Sequence, residues 1–193
     1  KVDTPIVYFG KTKPEVLDSL IAYGKEIKRS KTEVKKALAA AFDAQETFYG
    51  KIAQIGAETL ATLKDTDKAM VIIGRPYNSA DPGANLNIHK KLTELGVHSL
   101  PMDMLPVDDN AVIDNDLESI YWGYVQKILR TSRTIENLPN VFGIYVTSFG
   151  CGPDSFITHF LKRVSKGKPF LQLEIDEHSA DAGIVTRLEA FPP

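Results

Sequence analysis

From Lys68 onward, short apolar runs alternate with stretches of helical spacing, and this alternation leaves few architectures open. Residues 69–73 form an unbroken apolar run that ends at Gly74, as expected of a strand buried on both faces. Residues 97–100, 141–147 and 169–173 repeat that strand pattern. Helical patterns lie over 85–95, stopped by Gly96, over 118–138, closed by Pro139, over 153–165 and over 181–190. Residues 101–115 read as a loop rich in Pro and Asp. Strands that alternate with helices run parallel and carry helices on both faces, so the expected class is α/β.

The first third differs. Residues 6–9 suggest a short strand, and Thr12 with Glu15 has capping-box spacing before Val16, Leu17, Leu20, Ile21 and Ile27. A second box, Ser30 with Glu33, opens a longer pattern through Val34, Leu38, Phe42, Phe48, Ile52, Ile55 and Leu60. Unbroken, it would span about 45 Å, against an expected radius of gyration of about 16 Å. The sequence therefore predicts a break near Gly50 or Gly56, or a helix reaching toward something outside this chain. Residues 1–66 are expected to form a mainly helical segment packed on an α/β domain of residues 67–193.

A net charge of −2, from 23 basic and 25 acidic residues, argues against a nucleic-acid footprint and against a polybasic membrane surface. No apolar run approaches the ~18 residues of a membrane span. The single cysteine, Cys151, cannot form an internal disulfide, which points to a reducing cytoplasm. The chain opens on Lys1 without Met and stops at Phe191-Pro192-Pro193, so a piece of a longer protein is expected.

Ligands of open α/β sheets bind beyond the carboxyl ends of the strands, and three loops there carry unusual residues. Residues 74–87 hold two prolines and two glycines, with Arg75 able to pair with phosphate or carboxylate and a helix N-terminus behind it. The stretch is neither a Walker A sequence nor a GxGxxG fingerprint, and a rigid connector whose Asn and Asp cap the helix fits equally. The sharpest feature is Cys151 between Gly150 and Gly152, at a strand-to-helix corner before Pro153. A helix N-terminus favours a thiolate, the form that attacks electrophiles or binds metal. Three readings stay open: an inert cysteine, a nucleophile with His159 or His178 as base, and a ligand of a metal or iron–sulfur cluster. A cluster takes about four ligands, so its other anchors would lie outside this chain. The third loop, residues 174–181, sets several acids beside His178, as a metal or acid/base site or as a helix cap that also orients Arg187.

The segments Gly74-Arg75-Pro76-Tyr77-Asn78, Asp81-Pro82-Gly83-Ala84-Asn85-Leu86-Asn87, Tyr121-Trp122-Gly123-Tyr124, Cys151-Gly152-Pro153-Asp154-Ser155 and Leu173-Glu174-Ile175-Asp176-Glu177-His178 together resemble one family. It is the 2-hydroxyacyl-CoA dehydratase-related proteins, in particular the large fusion proteins called activators of (R)-2-hydroxyglutaryl-CoA dehydratase. The resemblance spans roughly residues 70–191. It implies a three-layer flavodoxin-like or Rossmann-like domain from the dehydratase-like portion of an anaerobic iron–sulfur system. It further implies an ATPase activator among the other domains of the parent chain, an acyl-CoA thioester as a possible substrate, and low-potential electron transfer or radical dehydration as the chemistry. By carry-over Cys151 resembles a 4Fe-4S ligand, with Arg75, Tyr77, Asn78, Asn85, Glu174 and His178 lining the cofactor crevice. The phosphate loops of the ATPase portion and the other cluster cysteines are absent from this sequence. The isolated chain is therefore expected to hold no cluster by itself. Two alternatives remain: a thiol enzyme built on Cys151 with His159 or His178, and a docking module for an ATPase domain acting through the first-third helices.

Overall fold

A computed structural model describes residues 3–8, 13–108, 113, 120, 122–176 and 181–191. The chain divides into two compact units, Lys1–Lys51 and Ile52–Pro193. The first contains helix α1 (Lys13–Glu26) and most of the long helix α2 (Lys31–Ala61). The predicted box at Ser30 forms: the Ser30 N–H donates to Glu33 Oε2 at 2.8 Å, and the Glu33 N–H donates to Ser30 Oγ at 3.3 Å. An apolar groove of about 450 Å³ runs between α1 and α2, lined by Leu20, Tyr23, Ile27, Val34 and Leu38. The strand expected at residues 6–9 does not form over the described part, since residues 3–8 carry no regular structure and Ile6 is exposed. A lone apolar stretch becomes a strand only when a neighbour completes its ladder, and no strand of the described sheet pairs with it. Phe9 and Thr12 lie outside the described residues.

The break expected at Gly50 or Gly56 is absent: α2 is one helix of 31 residues. Gly56 is buried, and a Cβ there would sit 1.8 Å from the carbonyl oxygen of Met104. The glycine serves a close backbone approach, and Leu60 and Leu63 beyond it pack into the core of the second unit.

That unit is built on a four-stranded, all-parallel sheet of order β2-β1-β3-β4, with β1 Ala69–Ile73, β2 His98–Pro101, β3 Val141–Ser148 and β4 Phe170–Ile175. All five residues of β1 are buried, because it lies inside the sheet with helices on both faces. Its side chains alternate: Ala69, Val71 and Ile73 join a core with α5 (Gly123–Glu136) and α6 (Gly152–Val164), while Met70 and Ile72 join another with α4 (Ile88–Glu94) and α7 (Asp181–Ala190). The result is a three-layer α/β fold of flavodoxin-like or Rossmann-like type. Each fully buried aliphatic side chain stabilises it by roughly 1.5–3 kcal/mol.

Further details depart from the sequence expectation: the helix predicted over 118–138 runs from Gly123 to Glu136. The helix predicted over 85–95 starts three residues later, at Ile88, because residues 82–87 turn and Asn87 takes a left-handed φ of 56°. A short helix, α3 (Pro76–Ala80), stands where a connector was expected. Arg187 of α7 donates from Nη2 to the Gln172 carbonyl of β4 at 2.8 Å. Among the described residues, no helix is long and apolar enough to cross a membrane.

The two α2 glycines give a paired test. Gly56→Ala should destabilise the second unit by about 1–3 kcal/mol through overpacking. Gly50→Ala, with nothing within 4 Å of its new Cβ, should stabilise α2 by roughly 0.5–1 kcal/mol. Urea unfolding of both variants beside the wild type checks this, and an unmoved midpoint for Gly56→Ala contradicts the close approach.

Candidate functional site

Strand order reverses at β1, which pairs with β2 on one side and β3 on the other. The crevice beyond the carboxyl ends of β1 and β3 is thus the topological switch point, where sheets of this kind take their ligands. The loop after β1 carries Arg75, Tyr77, Asn78 and Asn85, and the loop after β3 carries Cys151. Side chains bind the two loops to each other. Asn78 is buried, donates from Nδ2 to the Val146 carbonyl at 3.3 Å and accepts the Ser148 hydroxyl on Oδ1 at 3.3 Å. Arg75 Nε donates to Asp154 Oδ1 at 3.0 Å, and the Asp154 side chain has no exposure at all. Partial burial works against the Arg75 charge, but the Asp154 carboxylate outweighs it and the guanidinium holds its proton more tightly than usual. The Arg75 guanidinium also lies 5.8 Å from the centre of the Tyr124 ring.

Cys151 is the N-cap residue of α6 and is half-buried. Gly150 before it takes φ +71°, a conformation that favours glycine, and a Cβ at either Gly150 or Gly152 would meet nothing within 4 Å. The thiol therefore stands at an open corner, as its glycine neighbours suggested. The thiolate that a helix start favours is opposed here. Burial pushes the thiol up from its ordinary value; the Asp154 N–H and the Arg75 charge oppose this, while the Asp154 carboxylate adds to it. Tyr145 is buried and donates its hydroxyl to the main-chain carbonyl of Asp154 at 3.2 Å. Burial first, and the Asp154 charge second, push that phenol upward too.

Asp154 stands three residues after Cys151, the spacing from N-cap to N3 of a capping box. That spacing was readable; its partner 79 residues away was not. The remaining candidates fall differently. Tyr77 is half-exposed on α3, and Asn85 is wholly buried with neither Nδ2 nor Oδ1 bonded. Glu174 points outward on β4, exposed between buried Leu173 and Ile175. His159 is exposed on α6, eight residues from Cys151, or about 12 Å along the helix. It is out of reach as a base for that thiol. His178 lies outside the described residues.

The loop between α3 and α4 is held under tension. Leu86 and Asn87 are consecutive left-handed residues, at φ 53° and 56°. Such a backbone costs roughly 1–2 kcal/mol for a side chain like leucine. His89 anchors the far end: its Nε2 meets the Ser79 carbonyl at 2.8 Å, so that nitrogen carries the hydrogen, and its Nδ1 accepts from Ser99 Oγ at 3.0 Å.

Comparison with known families adds one match, to the CoA enzyme activase uncharacterised domain (DUF2229), over residues 1–105. The chain belongs to that family. The matched stretch takes in the first unit and the whole β1 loop through Asn87, while Cys151 lies beyond it. No curated protein and no solved structure matches the chain. A CoA enzyme activase domain works with other domains or proteins, consistent with a site that offers one thiol. Among the described residues no three His, Cys, Asp or Glu side chains gather as a metal site.

Two outcomes follow for the activase-family domain. Arg75→Ala leaves a buried carboxylate without its cation and should destabilise the fold by about 2–4 kcal/mol, the exposure of Arg75 reducing the value for a fully buried pair; chemical unfolding measures it. Only the thiolate is alkylated, and the raised proton affinity of Cys151 keeps it protonated to higher pH. Alkylation by iodoacetamide at neutral pH should run slower than for free cysteine and keep climbing at pH values where free cysteine has levelled off. A faster rate at pH 7 contradicts the geometry.

Proposed function

We propose that this domain serves an iron–sulfur protein of the CoA enzyme activase type, supporting low-potential electron transfer or radical dehydration of CoA thioesters, with Cys151 as one ligand of a shared cluster. The observation that carries this reading is the half-buried thiol at the β3–α6 corner, flanked by two glycines whose side-chain positions are open space. Bulky neighbours would bar an iron–sulfur cluster; Gly150 and Gly152 leave room for one. The remaining ligands come from other parts of the parent polypeptide or from a partner, as does the ATPase that drives the electron. The cluster supplies one-electron chemistry at a potential tuned by surrounding hydrogen bonds and charge. This chain's own residues hold the corner in place: Arg75 fixes Asp154, Asp154 opens α6, and Tyr145 braces the Asp154 carbonyl. Family membership supports the CoA-enzyme setting, and the resemblance of residues 70–191 supports the role of Cys151. A thiol enzyme with His159 as its base fits less well, since His159 stands about two helical turns away.

The test uses the natural polypeptide that carries this sequence, purified without oxygen and reconstituted with iron and sulfide. Cys151→Ala should lower its iron content and abolish the cluster's absorption and EPR signal, with unchanged circular dichroism. Full iron content in that variant overturns the assignment.

A further inference from the structure

The first unit carries an apolar groove and, further along the same helix, an exposed aromatic ring. We propose that two copies of this chain pair through them, their α2 helices antiparallel and Phe48 of each seated in the groove of the other. The groove, about 450 Å³, has Leu20 and Tyr23 of α1 on one side and Ala37 and Ala41 of α2 on the other. Ala37 and Ala41 are exposed, so this wall faces outward rather than into the contact between the two helices. Ala37, Ala41, Ala44 and Phe48 recur at spacings of four, three and four residues, and therefore continue as one strip along α2. Phe48 stands about 10 Å beyond Ala41 on that strip and is 54% exposed.

A strip with a groove at one end and a ring at the other is complementary to a reversed copy of itself. With a two-fold axis beside Ala40 and Ala41, Phe48 of one copy comes level with Val34 of the other, which lines the groove. The alanines at the axis let the two backbones approach closely. Charge selects the same orientation. Residues 28–36 carry five basic side chains and one acidic, whereas residues 37–50 carry two acidic side chains and none basic. Parallel copies would set like charges against like. Antiparallel copies set Lys36 beside Asp43 of the second copy, twice per dimer. Both side chains are exposed, so these pairs fix orientation more than affinity. No residue of the switch-point crevice takes part, and the pairing stands or falls separately from the cluster assignment.

Sedimentation equilibrium on the 193-residue chain reads the association. The chain should dimerise, and Phe48→Ala should weaken the dimer about tenfold or more with an unchanged circular dichroism spectrum. At low salt Lys36→Glu should weaken it too, and Lys36→Glu combined with Asp43→Lys should restore it, a rescue that a folding defect does not give. Orientation is read by oxidation of Cys151→Ser chains. Ala41→Cys, beside the axis, should give a disulfide-linked dimer. Ala44→Cys, displaced along the helices by about 10 Å from its counterpart, should not. A chain that stays monomeric at every concentration overturns the proposal, even where the groove takes up a helix of another protein. So does a dimer that tolerates Phe48→Ala, one that the double exchange leaves weak, or cross-linking through Ala44→Cys and not through Ala41→Cys.

Discussion

A carboxylate sealed away from water is the constraint on which the crevice depends. Asp154 sits in the first turn of α6, and its only ion-pair partner among the described residues is Arg75, across the switch point on the loop after β1. The helix dipole favours an acid at that position but does not neutralise it. The Arg75 cation does, and in doing so it fixes the distance between two loops that the sheet alone would leave independent. Asn78 repeats the tie with neutral groups, bonding the Val146 carbonyl and Ser148. The placement of Cys151 follows from this pairing, since the residue that caps α6 can be no better fixed than the first turn of that helix.

Local pattern was sufficient wherever burial on both faces dictated it. The β1 run of five apolar residues and the α7 span from Asp181 to Ala190 stand where the residues put them. Periodicity failed where a distant contact decided. Gly56 reads as a helix breaker until Met104 is seen against it, and the delayed start of α4 hangs on the left-handed backbone at Leu86 and Asn87, which no propensity favours for leucine. In the site, the loops and most of their residues were legible, because strand ends in such sheets mark ligand positions. The direction in which the Cys151 thiol shifts was not. A helix start alone favours a thiolate, and only the three-dimensional arrangement brings burial and a carboxylate to the same sulfur.

Family membership and site geometry divide the crevice between them. The matched residues include the loop with Arg75, Tyr77 and Asn85, so one wall lies within the CoA enzyme activase match. The other wall, with Cys151, lies past the match. Metal ligation is proposed for the second wall, and Arg75 and Asp154 bind the two walls mechanically into one structure.

The bond from Arg187 to the Gln172 carbonyl bears on behaviour in concentrated solution. β4 is the outermost strand on its side of the described sheet, and an outer strand is a template for intermolecular pairing. A guanidinium seated on one of its carbonyls must be dislodged before a foreign segment can add there. The last helix thereby acts as a guard against fibre growth as well as a cover for the core.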